Sequence, residues 1–253
     1  MSDHIRLDAI RPETASLFSV LAQFPQLKGL TLIGGTAISL IIGHRLSNDL
    51  DFAVFGDKLP THAIDNLVSE LKLGGLPVQL VTDPSQISSF KIATGKRLLD
   101  VARDYMFGDT KVTFFAMGAK QSPVFVDYLK AAPTLNLDDA SFNVLALDAL
   151  KTTKAVVLGQ RIRSRDLYDL FVLSKEHGYP VLQLLHDAVT YGTNNDSEYY
   201  KAVLRGEIPL DDEDEGLEPV GVMASLTEIY NYFDTGISRI EVEEAARIAQ
   251  ALS

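Results

Sequence analysis

The sequence of 253 residues predicts a mixed α+β protein, with an N-terminal sheet-and-helix domain over residues 1–138 and a helical domain over 139–253. Three observations lead there. Short apolar runs at 30–33, 78–81 and 111–117 have strand length and are bounded by turn residues. Stretches at 12–24 and 61–73 carry apolar residues at helical spacing. From about residue 140 the spacing is helical, so a change of periodicity at 136–140 marks the boundary. With 46% hydrophobic residues the chain can bury one large core or two small ones, and two lobes with a site in the cleft between them are expected.

The first helix, 12–24, precedes a buried strand at 30–33. Gly34 and Gly35 then turn the chain into a short helix at 37–43, with Thr36 as its N-cap. The next strand begins at Asp49 and runs to Val54. Helix 61–73 is stopped by Gly74 and Gly75, and strand 78–81 follows. Residues 83–108 show no readable period, whereas 111–117 and 124–128 are expected as strands. A core-facing helix spans 142–158 and ends near Gly159. Ser164 is placed as N-cap of a helix over 165–175 that Gly178 and Pro180 close. The short connection makes these two helices antiparallel neighbours.

The chemistry concentrates at the second strand. Thirteen residues separate Gly35 from Asp49, and Asp49 and Asp51 alternate with Leu50 and Phe52, so in a strand both acids share a face. Two adjacent carboxylates repel unless a cation lies between them, and hard oxygen donors suit Mg²⁺ that also takes phosphate oxygens. The glycine pair lets main chain approach a phosphate, and the free N–H groups of the following helix favour an anion. A Gly-Gly pair alone is ordinarily a turn and Asp-x-Asp alone an exposed strand end; the ordered combination carries the functional reading.

A second group lies downstream. Lys154, on the 142–158 helix, can lie opposite Asp166 and Asp169, which sit three apart on one face of the next helix. A phosphate-binding lysine with a site carboxylate and a buried ion pair that joins two helices are both consistent with this spacing. Lys151 is the alternative lysine. Arg161, Arg163 and Arg165 make the connecting loop basic, which suits either a phosphate or a solvated turn.

The run from Leu30 to Val54 resembles motif I of the AbiEii/AbiGii toxin family of nucleotidyltransferases, within the DNA polymerase β-like superfamily. The resemblance includes Gly43-His44-Arg45 and Ser47-x-Asp49-Leu-Asp51-Phe52. Lys154, followed twelve residues later by Asp166 in Arg165-Asp166-Leu-Tyr168-Asp169-Leu170, resembles that family's downstream lysine and Arg-Asp-x-x-Asp-Leu element. Together the two blocks cover about fifty residues. The resemblance implies an Mg²⁺-dependent transferase that moves a nucleoside monophosphate from an NTP to a tRNA end or a protein hydroxyl, as a toxin restrained by an antitoxin in a toxin–antitoxin or phage-defence system. It implies Asp49, Asp51, Lys154 and Asp166 as catalytic residues, with Asp49 and Asp51 holding metal. It implies Gly34, Gly35, Thr36, Arg45, Ser47 and Lys154 around the nucleotide. A catalytically silent relative that binds a nucleotide or partner protein is the alternative.

One departure stands out. Many enzymes of the superfamily take a third carboxylate from a later strand, but here the 111–117 strand has Lys111 and Thr113 where an acid would stand. Asp100, Asp109 and Asp127 are the weak substitutes, and the group that deprotonates an acceptor is unassigned; Asp51 can serve as base as well as ligand.

Composition excludes other classes. The absence of cysteine removes disulfides and thiolate metal sites. No apolar run reaches membrane-spanning length and no apolar signal segment opens the chain, so a cytoplasmic protein is expected. A net charge of −11 argues against broad nucleic-acid binding, but leaves room for a small basic cleft or a basic partner. The acidic run 211–215 is expected as a solvated loop, with partner docking as its alternative. His177 and His186 have no partner at metal-ligand spacing, His44 or Arg45 is open to either a phosphate contact or a capping or surface role, and the tyrosines of the C-terminal half are expected in core or interface positions.

Overall fold

The computed structural model describes residues 5–119, 121–137 and 140–252. The chain divides into two compact units, Met1–Leu150 and Lys151–Ser253. The boundary expected between 138 and 139 falls on residues outside the described ones, and the observed division lies within a helix instead.

In the first unit, α1 (Pro12–Ala22) leads to β1 (Thr31–Ile33), α2 (Gly34–Ile42) and β2 (Leu50–Val54). Then come α3 (Thr61–Leu73), β3 (Val78–Leu80), α4 (Pro84–Thr94), β4 (Ala102–Phe107) and β5 (Thr110–Ala116). After α5 (Pro123–Ala131), β6 (Thr134–Asn136) and β7 (Asn143–Leu145) complete one mixed sheet of seven described strands, ordered β3-β4-β5-β2-β1-β7-β6. β2 runs antiparallel to β1 and parallel to β5, and β4 is antiparallel to β5. The mixed α+β class is therefore observed.

The two faces of the sheet centre differ. Phe52 of β2 stacks on Phe114 of β5 with ring centroids 5.6 Å apart, and Phe142 meets Phe52 edge-on at 4.9 Å and Phe18 of α1 at 5.3 Å. Each such ring removes apolar surface worth about 1.5–3 kcal/mol from water. On the same face the Arg103 guanidinium donates to Asp65 of α3 at 2.5 Å and to the Leu99 carbonyl at 2.7 Å. The opposite face carries Asp51, Thr113 and Asp104, all only half-buried.

Three local expectations fail for identifiable reasons. Residues 124–128 lie in α5, whose Ser122 cap accepts from the Phe125 N–H at 3.3 Å with Pro123 in the first turn; that start signal outweighs the strand-like Val-Phe-Val. The first residues of the expected 142–158 helix form β7 beside β1, and α6 spans Leu147–Val157, because a short apolar run fits either period until pairing decides. The unreadable 83–108 segment contains α4, which buries none of its residues and so shows no apolar stripe, and β4.

The second unit continues from α6 with α7 (Ser164–Glu176), α8 (Val181–Tyr191), α9 (Ser197–Arg205) and α10 (Leu226–Ala251). Tyr200 is wholly buried and meets Tyr199 edge-on at 5.3 Å, and Tyr232 meets Phe171 at 5.1 Å. In the same unit Asp187 accepts from Thr152 and Tyr179, each at 2.9 Å, and from Gln183 at 2.6 Å, which satisfies a buried carboxylate with neutral donors. Among the described residues, no helix is long and apolar enough to cross a membrane.

Candidate active site

Gly34 opens α2 at the end of β1, with φ at +81°, a region that L side chains rarely enter. A Cβ at this position would stand 2.7 Å from Oδ2 of Asp51. The glycine is therefore required twice, for its backbone angle and for the space that the carboxylate fills. Asp51 is half-buried in β2 opposite Ile33, whereas Asp49 is exposed one residue before the strand begins. The carboxylate of Asp51 thus lies beside the first turn of α2, where free N–H groups and the positive end of the helix dipole are directed.

The approach to Asp49 is clamped by hydrogen bonds. The Ser47 N–H donates to the Ala9 carbonyl at 3.3 Å, and the Arg11 N–H donates to the Ser47 carbonyl at 3.2 Å. Thr14 of α1 donates to the Asn48 carbonyl at 3.0 Å. Thr36 donates to the Asp49 carbonyl, and its hydroxyl lies 2.7 Å from that of Ser47. Thr36 is consequently not the N-cap of α2. That place belongs to Ile33, and Thr36 is a buried first-turn residue whose hydroxyl secures the acidic segment. Ser47 and Arg45 are buried as well, with an Arg45 guanidinium N–H donating to the Leu46 carbonyl at 3.1 Å. Thr14 carried no sequence signal, since its partner is 34 residues away.

Gly34→Ala is expected to destabilise the fold by about 1–2 kcal/mol from backbone strain. It should also displace the Asp51 carboxylate. Urea denaturation measures the first effect, and calorimetric titration with Mn²⁺ and an NTP measures the second.

The downstream group is an ion network inside the second unit. Lys154 Nζ lies 2.5 Å from Oδ1 of Asp166 and 2.6 Å from Oδ2 of Asp169, and Arg161 Nε lies 2.8 Å from Oδ2 of Asp166. Side-chain exposure is 6% for Lys154, 4% for Asp166 and 0% for Asp169, so these charges depend on one another rather than on water. Burial pushes the Asp166 carboxyl up, but the Lys154 ammonium and the Arg161 guanidinium outweigh burial and hold it below the usual carboxylate range.

A lowered folded-state value means that Asp166 contributes stability above its unfolded pKa of about 3.9 and loses it as pH falls through the folded value. The denaturation midpoint of the wild type should therefore drop as pH is lowered below about 4, and Asp166→Asn should show a shallower drop there.

The acidic run is a loop with Asp212, Glu213 and Glu215 exposed, as expected, but it is tied to residues 162–165. The Ile162 N–H donates to Asp211 at 3.2 Å, Arg163 pairs with Glu213 at 3.0 Å, and Arg165 pairs with Glu215. Asp214 accepts from both the N–H and the hydroxyl of Ser164, at 2.9 and 2.8 Å. Ser164 is thus the first residue of α7, and its expected capping role passes to an aspartate fifty residues on.

Asp100 ends a 3₁₀ turn, Asp109 lies in the β4–β5 turn, and Asp127 pairs with Lys130 at 3.1 Å on the exposed side of α5. None lies in a strand of the sheet. A cavity lined by Leu17, Val20, Leu71, Phe107 and Asp109 contains neither Asp49 nor Asp51. Among the described residues no group of three acidic, histidine or cysteine side chains is placed to hold a metal by itself. Two carboxylates remain for such a role, an all-oxygen set that leaves other positions to phosphate and water.

Comparison with known proteins gives a family match and several similar chains. The family model described as "Nucleotidyl transferase AbiEii toxin, Type IV TA system" matches residues 15–219. An uncharacterised protein of Aquifex aeolicus (strain VF5) is 30% identical over 156 residues, which are 60% of this chain and 61% of that protein, so the match spans about three fifths of the relative's length. Among solved structures, JHP933 from Helicobacter pylori aligns over 96% of this chain and 99% of its own at 15% identity, with a TM-score of 0.46. The nucleotidyltransferase toxin MenT4 from Mycobacterium tuberculosis H37Rv aligns over 90% of this chain and 86% of its own at 14% identity, with a TM-score of 0.47.

Proposed function

Because the chain belongs to the AbiEii nucleotidyl transferase toxin family, we propose that it transfers a nucleoside monophosphate from an NTP to a hydroxyl of an RNA, such as a tRNA end, or of a protein. The observation that carries this reading is the Asp51 carboxylate packed against Gly34 at the start of α2. The position that a Cβ would fill is occupied by a carboxylate oxygen, and the donors are hard oxygens, so the residues fit Mg²⁺ with Asp49 and Asp51 as its ligands. When bound there, the ion supplies Lewis-acid stabilisation of phosphoryl oxygens. The first N–H groups of α2, at Gly34 and Gly35, bind and orient phosphate oxygens. Thr36, Ser47 and Thr14 keep Asp49 and Asp51 in place through the clamp on residues 47–49. Arg45 is assigned to the nucleotide surroundings and Lys154 to phosphate contact, with Asp166 completing the site through its ion pair to Lys154, on the resemblance of their motifs. Restraint by an antitoxin and location in the cytoplasm belong to the same reading.

The test is incubation of the protein with each labelled NTP, Mg²⁺ and total tRNA, with and without added protein acceptors. Label on an acceptor in the wild type and none with Asp51→Asn supports transfer. No label with either supports a silent nucleotide- or partner-binding relative.

A further inference from the structure

The strand pairing brings a third carboxylate, Asp104, to the same face as Asp51. β5 is paired so that Thr113 lies opposite Asp51 on one side and opposite Asp104 on the other. Residues directly opposite in paired strands project to the same face, so Asp51, Thr113 and Asp104 form one row across three strands. All three are half-buried and accessible. The backbone of Asp104 is fixed on the β3 side, where its N–H donates to the Thr82 hydroxyl and its carbonyl accepts from the Val81 N–H, each at 2.8 Å. Its carboxylate makes no hydrogen bond or ion pair among the described residues.

We propose that Asp104 is the base that receives the proton of the acceptor hydroxyl. This rests on the nucleotidyl-transfer reading of the Asp51 site. Neighbouring strands are about 4.8 Å apart, so the backbones of Asp51 and Asp104, two strands apart, are about 10 Å from each other. The space suits a phosphoryl group held from the Asp51 side with a hydroxyl arriving from the Asp104 side. Thr113 between them carries no charge to repel the phosphate and offers a hydroxyl donor. In the step, the acceptor oxygen forms a bond to the α-phosphorus and its proton passes to a carboxylate oxygen of Asp104. The bond from the α-phosphorus to the bridging oxygen breaks, and pyrophosphate leaves with that electron pair. Separation from Asp51 by a full strand distinguishes this role from metal ligation, which needs both carboxylates within reach of one ion.

Asp104→Asn keeps the shape of the side chain and removes its basicity. The expected result is a fall in kcat for transfer to tRNA of roughly 10²–10⁴-fold, with KM for the NTP unchanged. Calorimetric titration with Mn²⁺ and each of ATP, GTP, CTP and UTP should give wild-type affinity in this variant, whereas Asp51→Asn should lose it. Asp104→Glu should recover part of the rate. Wild-type kcat in Asp104→Asn overturns the proposal, as does a loss of Mn²⁺–NTP binding parallel to that of Asp51→Asn, which would make Asp104 a ligand. A wild type that binds Mn²⁺–NTP yet labels no acceptor overturns both this proposal and the transfer reading.

Discussion

Replacing Lys154 with methionine is expected to destabilise the protein by about 3–5 kcal/mol, the usual consequence of leaving a buried charge without its partner. Lys154 lies within ion-pair distance of both Asp169 and Asp166, and it shares Asp166 with Arg161. Removing the ammonium takes a buried cation away from two buried carboxylates at once, while the partly exposed Arg161 guanidinium stays on Asp166. Urea denaturation with a two-state fit measures the loss. The double variant Lys154→Met, Asp169→Leu should regain part of it, because exchanging a whole buried pair for apolar side chains is often near neutral. A loss below about 1 kcal/mol in the single variant would show that the network is no tighter than an exposed ion pair.

Asp51→Asn is expected to lower nucleotidyl transfer by at least roughly a hundredfold while barely changing stability. The lower bound follows because even a group that only orients a metal ligand is worth ten- to a hundredfold, and Asp51 is assigned as the ligand itself. Stability should hold because Asp51 is half-exposed and asparagine preserves its shape against Gly34. Initial rates of label incorporation, set beside denaturation midpoints, separate the two effects. Equal rates in wild type and variant would remove Asp51 from the chemistry.

Features with a local period were legible from residues alone. Helix 61–73 is found at the expected ends, and the strands after the glycine pair and at 111–117 are found within one residue of them. The diglycine turn was readable because one conformational demand, a positive φ beside a carboxylate, leaves little but glycine at position 34. Charge spacing also pointed to Lys154 opposite Asp166 and Asp169, three residues apart on one helix face. Helix α5 stands where the short apolar run at 124–128 has strand length, because the Ser122 cap and Pro123 fix a helix start that the run does not override.

By itself, then, the sequence determined the mixed class, the acid pair after the glycine turn and the partners of the buried lysine, because each depends on residues close enough in the chain for a period of two or 3.6 to speak. The tertiary structure alone decided that Asp104 shares a row with Asp51, that Thr14 holds the carbonyl before Asp49, and that Asp214 caps a helix beginning at Ser164. These pairings join segments tens of residues apart, and nothing in local spacing states which strand will lie beside which or which loop will fold back onto a helix start. Packing of the whole chain selects among them, since burying the Phe52 face of the sheet fixes strand order and register together.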